Sequence, residues 1–210
     1  MNSIHKKAVL ITSAIATPYL IYRFYQNYVK NCPSVQLESG EPFMAKLIKK
    51  EQIAADVIRL TFALPNKKAI LGLPICKHLM VHGVDTEGNE VKKPYTPITV
   101  DRVSKGEFIL VVKVYENGRL GNFLNGKKEG DEVKITGPVG RIEYKDQDFY
   151  QLGKLVSVKP KKIGLIGGGS GITPLLQLVR YLEDQKIKDV KCTLIYAILK
   201  QISKIFYFKN

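Results

Sequence analysis

One stretch constrains the fold more than any other, the segment IGLIGGGSGITPLLQLVRYLEDQ over residues 163–185. Its apolar start predicts a short strand, and the glycines that follow predict a tight turn. Thr173 is expected to cap a helix with Pro174 at its first position, because proline has no N–H to lose there. One apolar face of that helix is marked at helical spacing by Leu175, Leu178, Val179 and Leu182.

The next apolar run, VKCTLIYA over 190–197, predicts a second strand. Strand, glycine turn, helix and strand in this order are typical of the opening of a parallel nucleotide-binding sheet. The motif reads G-x-G-x-x-P from Gly169 to Pro174 and lacks the last glycine of G-x-G-x-x-G. By itself it also fits an ordinary tight turn between strand and helix, which needs glycine anyway.

The middle of the chain has a different pattern, with short β-branched or aromatic runs bounded by Gly, Pro, Asn or Asp. Five or six strands at short intervals predict a small antiparallel barrel or sandwich. The turn DTEGNE, 85–90, is a hairpin candidate. The strands are expected within FMAKLIKKEQI, DVIRLTFALP, KHLMVHGV, EFILVVKVYE and DEVKITGPVG.

Two short segments of this middle part are candidates for binding. In VKKPYTPITV, 91–100, two prolines bracket Tyr95 and Thr96, so both side chains should project in fixed directions beside the positive charge of Lys93. That pattern fits a pre-organised binding edge or merely a stiff strand end. In YENGRLGNFLNG, 115–126, a turn enters a short helix near Arg119, which fits either an anion site or an ordinary helix cap.

The first thirty residues hold an uncharged run from Ala8 to Tyr22, preceded by lysines and followed by aromatic residues. We expect a membrane anchor over 1–30, with the span at 8–29, because about 20 apolar residues cross a bilayer. A cleaved secretory signal, a mitochondrial presequence and a buried core helix are the alternatives. Residues 31–42 are expected to be a linker to the folded part.

The charge of the chain favours an anionic partner, because 33 Lys and Arg residues against 19 Asp and Glu give a net charge of +14. The lysines are scattered and no arginine-rich run accompanies them, so we expect no nucleic-acid binding. Cys32, Cys76 and Cys192 lie far apart and are expected to be buried or free thiols. The histidines are expected to be structural, and no set of metal ligands is predicted.

In combination, the motifs KPYTPIT, VVKVYENGRLGNFL, GDEVKITGPVGRIEY and IGGGSGITPLLQLVR resemble, in this order, the ferredoxin-reductase superfamily of flavoproteins. Within it the chain is most similar to the NADH–cytochrome b5 reductases, from about Phe43 to Ala197. The resemblance implies a multi-domain fold, with a membrane helix, an antiparallel β-barrel FAD-binding domain over 43–155 and an incomplete α/β parallel-sheet NAD-binding domain over 156–210. The chain would be C-terminally truncated, because two later segments of the family are absent and residues 198–210 match nothing in it.

The resemblance also implies site residues. Tyr95 would lie along the flavin with Thr96 near its ring, and Lys93 stands where the family has arginine. Gly121 stands where the family usually has serine. The residues implied for FAD are Lys93, Pro94, Tyr95, Thr96, Val111, Lys113, Arg119, Leu120, Gly121 and Thr173, and those for NADH are Gly168, Gly169, Gly171 and Pro174.

The activity implied is transfer of electrons from NADH through FAD to cytochrome b5 or another acidic haem protein, without a side-chain acid or base. Thr96 and Lys113 would position the flavin. The location implied is the endoplasmic reticulum membrane or the mitochondrial outer membrane. The alternative is a non-catalytic accessory subunit of a larger membrane complex, with a partner covering 198–210.

Overall fold

The computed structural model describes residues 34–37, 41–101, 104–151, 154–198 and 201–208. The predicted membrane anchor over 1–30, including the span at 8–29, lies outside these residues. Of the predicted linker, only part is described. Neither helix of the described part of the chain has the length and apolar character needed to cross a bilayer.

A six-stranded antiparallel sheet forms the first half of the described chain, as the pattern of short runs predicts. Its strand order is β4-β3-β6-β1-β2-β5. Alternate residues of these strands are buried, as on β5, where Phe108, Leu110 and Val112 face the core. The strands are β1 (Phe43–Ala54), β2 (Val57–Ala63), β3 (His78–Val84), β4 (Glu90–Tyr95), β5 (Glu107–Lys113) and β6 (Glu132–Val139).

The sheet curls into a barrel, because the chain that leaves the outer strand β4 bonds to the other outer strand, β5. The backbone N–H of Ile98 donates to the carbonyl of Ile109 at 3.0 Å. Part of the predicted linker also joins the barrel: Val35 pairs with Ile70, and Leu37 is 4% exposed in the barrel core. The exact domain limits stay a prediction.

A small sheet after the barrel was not predicted from the sequence. It has the order β7-β8-β9 and consists of β7 (Ile142–Lys145), β8 (Asp148–Gln151) and β9 (Lys154–Ser157). Tyr144 of β7 is fully buried and packs against Phe149 and Tyr181. It belongs to a second hydrophobic core, separate from the barrel core.

The last part of the chain contains the predicted strand, glycine turn, helix and strand. Strand β10 (Lys162–Gly168) pairs in parallel with β11 (Lys191–Ile198), and helix α2 (Ile172–Asp184) connects them. Strand β12 (Gln201–Phe208) then returns antiparallel to β11. The sheet therefore has three strands.

The start of helix α2 corrects one prediction. Its N-cap is Gly171, so Thr173 is the second helical residue and Pro174 the third. A 3-10 turn over Gly169–Gly171 feeds directly into the helix and moves its start forward. The Thr173 hydroxyl therefore donates back to the Ser170 carbonyl at 3.3 Å instead of capping. Pro174 still lies in the first turn, where a missing N–H removes no helical hydrogen bond.

Candidate functional site

A cavity of about 550 Å³ opens where strands β4 and β5, the start of a short helix and the glycine turn before α2 meet. The short helix is α1 (Arg119–Gly126), which begins just after the predicted Asn117-Gly118 turn. The cavity gathers every residue expected to hold FAD, together with Gly171 and Pro174. Gly168 and Gly169 are not among its lining residues.

Strand β4 contributes the first wall. Strand β4 lies at the edge of the sheet. Pro94 can therefore occupy it, because an edge strand tolerates a residue that has no N–H to donate, whereas a central strand needs that hydrogen bond. Tyr95 lies opposite Leu79 and is partly buried, and burial raises the pKa of its phenol. Thr96 follows with only 8% exposure. Lys93 is exposed at the mouth.

Strand β5 contributes the second wall through Val111 and Lys113. The Asp56 carboxylate lies 3.0 Å from Nζ of Lys113, and this hydrogen bond raises the pKa of the lysine. The ammonium also lies 5.5 Å from the ring centre of Tyr115. Lys113 is therefore a fixed positive charge at the cavity wall.

Helix α1 contributes an anion-binding end. Its N-cap, Gly118, makes no side-chain cap, so the backbone N–H groups of Arg119, Leu120 and Gly121 have no partner within the helix. The helix packs tightly on the barrel at Gly83, where a Cβ would lie 2.5 Å from the Phe123 ring. Free N–H groups, the helix dipole and a guanidinium together suit a phosphate.

The glycine turn contributes the last wall. Gly169 has φ +53°, a conformation that favours glycine. Its carbonyl accepts a hydrogen bond from the Tyr196 hydroxyl at 2.8 Å, which ties the turn to strand β11. Gly168 and Gly169 lie on this turn beside the cavity rather than in its wall.

Sequence reasoning missed five residues of the cavity wall. Tyr115 and Gly118 flank residues that were predicted, so the neighbouring turn was an available signal. Ser170 lies inside the glycine run. Cys76 and His78 have no motif that marks them, because only the fold brings them there. The missed residues are Cys76, His78, Tyr115, Gly118 and Ser170.

Neither Cys76 nor His78 is set up for acid–base work. Burial, with a smaller effect of Glu143, raises the pKa of the Cys76 thiol to about 11. Burial and then Lys77 lower the pKa of His78, so its ring is neutral near pH 7. Cys76 and Cys192 are free thiols, as expected. Within the described ranges, no group of three or more potential ligands is placed to hold a metal ion.

The barrel and its cavity fit a FAD-binding domain, and residues 44–144 match the family model of the oxidoreductase FAD-binding domain. The chain is 37% identical over 152 residues to NADH–cytochrome b5 reductase 1 of Arabidopsis thaliana, covering 72% of this chain and 50% of that protein. It is 34% identical over 180 residues to NADH–cytochrome b5 reductase 1 of Rattus norvegicus, covering 79% of this chain and 58% of that protein.

Among solved structures, the cytochrome b5 reductase domain of Ulva prolifera nitrate reductase superposes with a TM-score of 0.72 at 28% identity. The match covers 79% of this chain and 65% of that one. The chain therefore belongs to the NADH–cytochrome b5 reductase family of flavoproteins. It spans between half and three-fifths of the length of the two curated relatives.

Proposed function

We propose that the chain binds FAD in this cavity and reduces it with NADH, passing electrons on to a haem protein such as cytochrome b5. The observation that carries the proposal is the cavity itself, which brings the whole predicted FAD set together from β4, β5, α1 and α2. These residues are up to 80 positions apart in the chain, so their meeting is a property of the fold.

The residues present fit FAD at its phosphates. The free N–H groups at the start of α1, the Arg119 guanidinium and the Lys93 ammonium would hold the pyrophosphate. Lys93 supplies charge without the two-pronged geometry of arginine. Gly121 supplies a backbone N–H but no hydroxyl.

The residues also fit the flavin. Tyr95 offers a fixed aromatic surface, Val111 an apolar wall, and Thr96 a buried hydroxyl. Lys113, held by Asp56, would stabilise negative charge near the ring. When bound, FAD accepts a hydride equivalent and releases electrons singly, so the protein needs to orient and shield rather than exchange protons.

The glycine turn is proposed to receive the nicotinamide of NADH. Gly168, Gly169, Gly171 and Pro174 leave the backbone accessible, and a Cβ at Gly171 would meet nothing within 4 Å. Thr173, 8% exposed in the cavity wall next to this turn, would contact the flavin.

Partner and location belong to the same proposal. The excess of positive charge suits an acidic haem protein, which such charge would attract to the chain. Attachment through residues 8–29 would place the chain on the endoplasmic reticulum or the mitochondrial outer membrane. Fractionation of cells expressing the chain with and without residues 1–30 tests this part.

The experiment for the central proposal is the flavin content of the purified chain, followed by anaerobic addition of NADH to the same sample. We expect a yellow protein whose 450 nm absorbance bleaches. Arg119→Gln should lower the flavin content, whereas Lys128→Gln, an equal loss of charge on an exposed loop after α1, should not. A folded wild-type chain that neither copurifies with FAD nor binds it on addition would sink the proposal.

A non-catalytic accessory role is the second candidate, and one observation favours it. Ile166 of β10 is 79% exposed and Ile195 of β11 is 38% exposed, on the sheet face opposite the buried Leu165. Parallel sheets are ordinarily covered on both faces. Bound flavin that NADH does not bleach would support this candidate over the reductase.

A further inference from the structure

Asp85 is the first residue of the predicted turn DTEGNE between β3 and β4, and it is not among the residues expected to hold FAD or NADH. Its side chain is only 5% exposed. The turn closes through hydrogen bonds from the Asp85 N–H to the Asn89 carbonyl at 3.0 Å and from the Gly88 N–H to the Asp85 carbonyl at 3.1 Å. A buried carboxylate needs partners, and those of Asp85 point to a role beyond the turn.

One oxygen of the carboxylate is committed to the turn. Oδ1 accepts from the backbone N–H of Asn89 at 2.8 Å and from that of Glu87 at 3.0 Å. Burial works against ionisation, but these bonds and the bond from Arg119 lower the pKa of Asp85 on balance. The carboxylate is therefore charged at neutral pH and fixed in orientation.

The other oxygen, Oδ2, accepts a long hydrogen bond from Nδ2 of Asn89 at 3.4 Å and holds Arg119 more closely. Nε of Arg119 donates to Oδ2 at 2.7 Å, and Nη2 contacts the same oxygen. The guanidinium is planar and carries five N–H groups in a rigid fork, so this contact engages one edge. The arginine side chain is 53% exposed and lines the cavity.

We propose that Asp85 is a positioning residue, which fixes Arg119 so that the rest of its guanidinium faces the phosphates bound at the start of helix α1. This rests on the proposed function. A free arginine at a surface would lose rotamer freedom when it binds an anion, and the fixed carboxylate removes that cost beforehand. The competing effect is that Asp85 neutralises part of the charge, which would weaken anion binding.

Asp85→Asn separates these two effects. Asparagine keeps an oxygen for the N–H groups of Glu87 and Asn89 but loses the charge that holds Arg119. We expect the Kd of FAD, measured by quenching of flavin fluorescence, to rise about threefold to tenfold. In an Arg119→Gln background, the same change should have no effect on the Kd.

Asp131→Asn is the matched control. Asp131 also caps a turn, accepting from the Lys128 N–H at 2.9 Å, and has no arginine partner in the described contacts. It should leave the Kd unchanged. Thermal unfolding of the FAD-free variants measures any loss of stability separately from FAD binding. Asp85→Glu, which keeps the negative charge, should recover part of the affinity for FAD.

Inorganic pyrophosphate is titrated in parallel, because it tests the anion site without the flavin. Tighter or unchanged FAD binding by Asp85→Asn, or an equal loss in the Arg119→Gln background, overturns the role of Asp85 while leaving the proposed function intact. A wild-type chain that binds pyrophosphate but not FAD overturns the proposed function, and the effect of Asp85→Asn on pyrophosphate then decides the inference. A wild-type chain that binds neither pyrophosphate nor FAD overturns both the role of Asp85 and the proposed function.

Discussion

At the residue scale, Lys93 stands where the resemblance to the reductases implies an arginine. It lies exposed on the edge strand at the mouth of the cavity, with space for a larger head group. A lysine contributes one point of charge, whereas arginine can form two parallel hydrogen bonds to a phosphate.

We therefore predict that Lys93→Arg tightens FAD binding by about threefold to tenfold, measured by equilibrium titration of the FAD-free chain. Lys93→Gln, which removes the charge, should weaken binding. Equal affinities in all three proteins would place Lys93 outside the phosphate site.

Cys76 illustrates a residue whose environment makes it inert. With a pKa of about 11, roughly one thiol in a thousand is ionised at pH 8, against about one in four for an unperturbed thiol. We predict alkylation of Cys76 about 200-fold slower than in the denatured chain at pH 8, followed by site-resolved mass spectrometry. Labelling at the denatured rate would contradict the burial of the thiol.

At the scale of elements, helix α1 has Gly121 where the resemblance to the reductases implies a serine hydroxyl. A Cβ there would lie 3.4 Å from the Lys113 carbonyl, an ordinary contact, so a larger side chain fits. We predict that Gly121→Ser tightens FAD binding several-fold. Gly121→Ala separates the hydroxyl from the general gain in helix stability, which is about 1 kcal/mol for glycine to alanine. If alanine tightens binding as much as serine, the hydroxyl has no role.

The turn before β5 depends on Gly106. Its φ is +73°, and a Cβ would lie 2.4 Å from the Lys67 carbonyl; its N–H donates to Ala69 O at 2.7 Å. We predict that Gly106→Ala lowers the free energy of unfolding by about 2–4 kcal/mol.

Gly88→Ala is the control for that prediction, because φ at Gly88 is +84° but a Cβ there meets nothing within 4 Å. It should cost about 1–2 kcal/mol from backbone strain alone. Denaturant titration of both variants measures the difference, and equal costs would mean that the close approach at Lys67 relaxes freely.

At the scale of the whole molecule, the barrel and the second core are joined by polar contacts. Gln177 of α2 is 1% exposed, and its Oε1 accepts from the Cys76 N–H at 2.9 Å. Arg180 of the same helix donates to the Ile98 carbonyl in the segment that closes the barrel. These contacts fix helix α2, and with it the glycine turn, against the barrel.

We predict that Gln177→Leu lowers the free energy of unfolding by about 1–3 kcal/mol, because it leaves the buried Cys76 N–H without its acceptor. Gln185→Leu, at the exposed residue directly after the last turn of the same helix, should change it by less than about 0.5 kcal/mol. Chemical denaturation measures both. A neutral Gln177→Leu would mean that the N–H finds another partner.

The sequence by itself determined the elements whose signals are local. Short β-branched or aromatic runs between turn residues marked the strands of the barrel, Asn117-Gly118 marked the turn into α1, and the glycine run marked the turn into α2. The order of the motifs also indicated the family, and with it a set of flavin residues that the fold gathers into one cavity. Their roles in binding stay a prediction.

Only the tertiary structure decided what depends on approach between distant segments. Cys76 and His78 reach the cavity wall through the packing of the loop and strand β3, and Asp85 meets Arg119 because the β3–β4 hairpin folds over the start of α1. The sheet β7-β8-β9 was missed because its strands are four residues long, too short for a period to appear. The predicted start of α2 was wrong because a 3-10 turn precedes the helix. That turn depends on a backbone geometry that glycine permits but does not dictate.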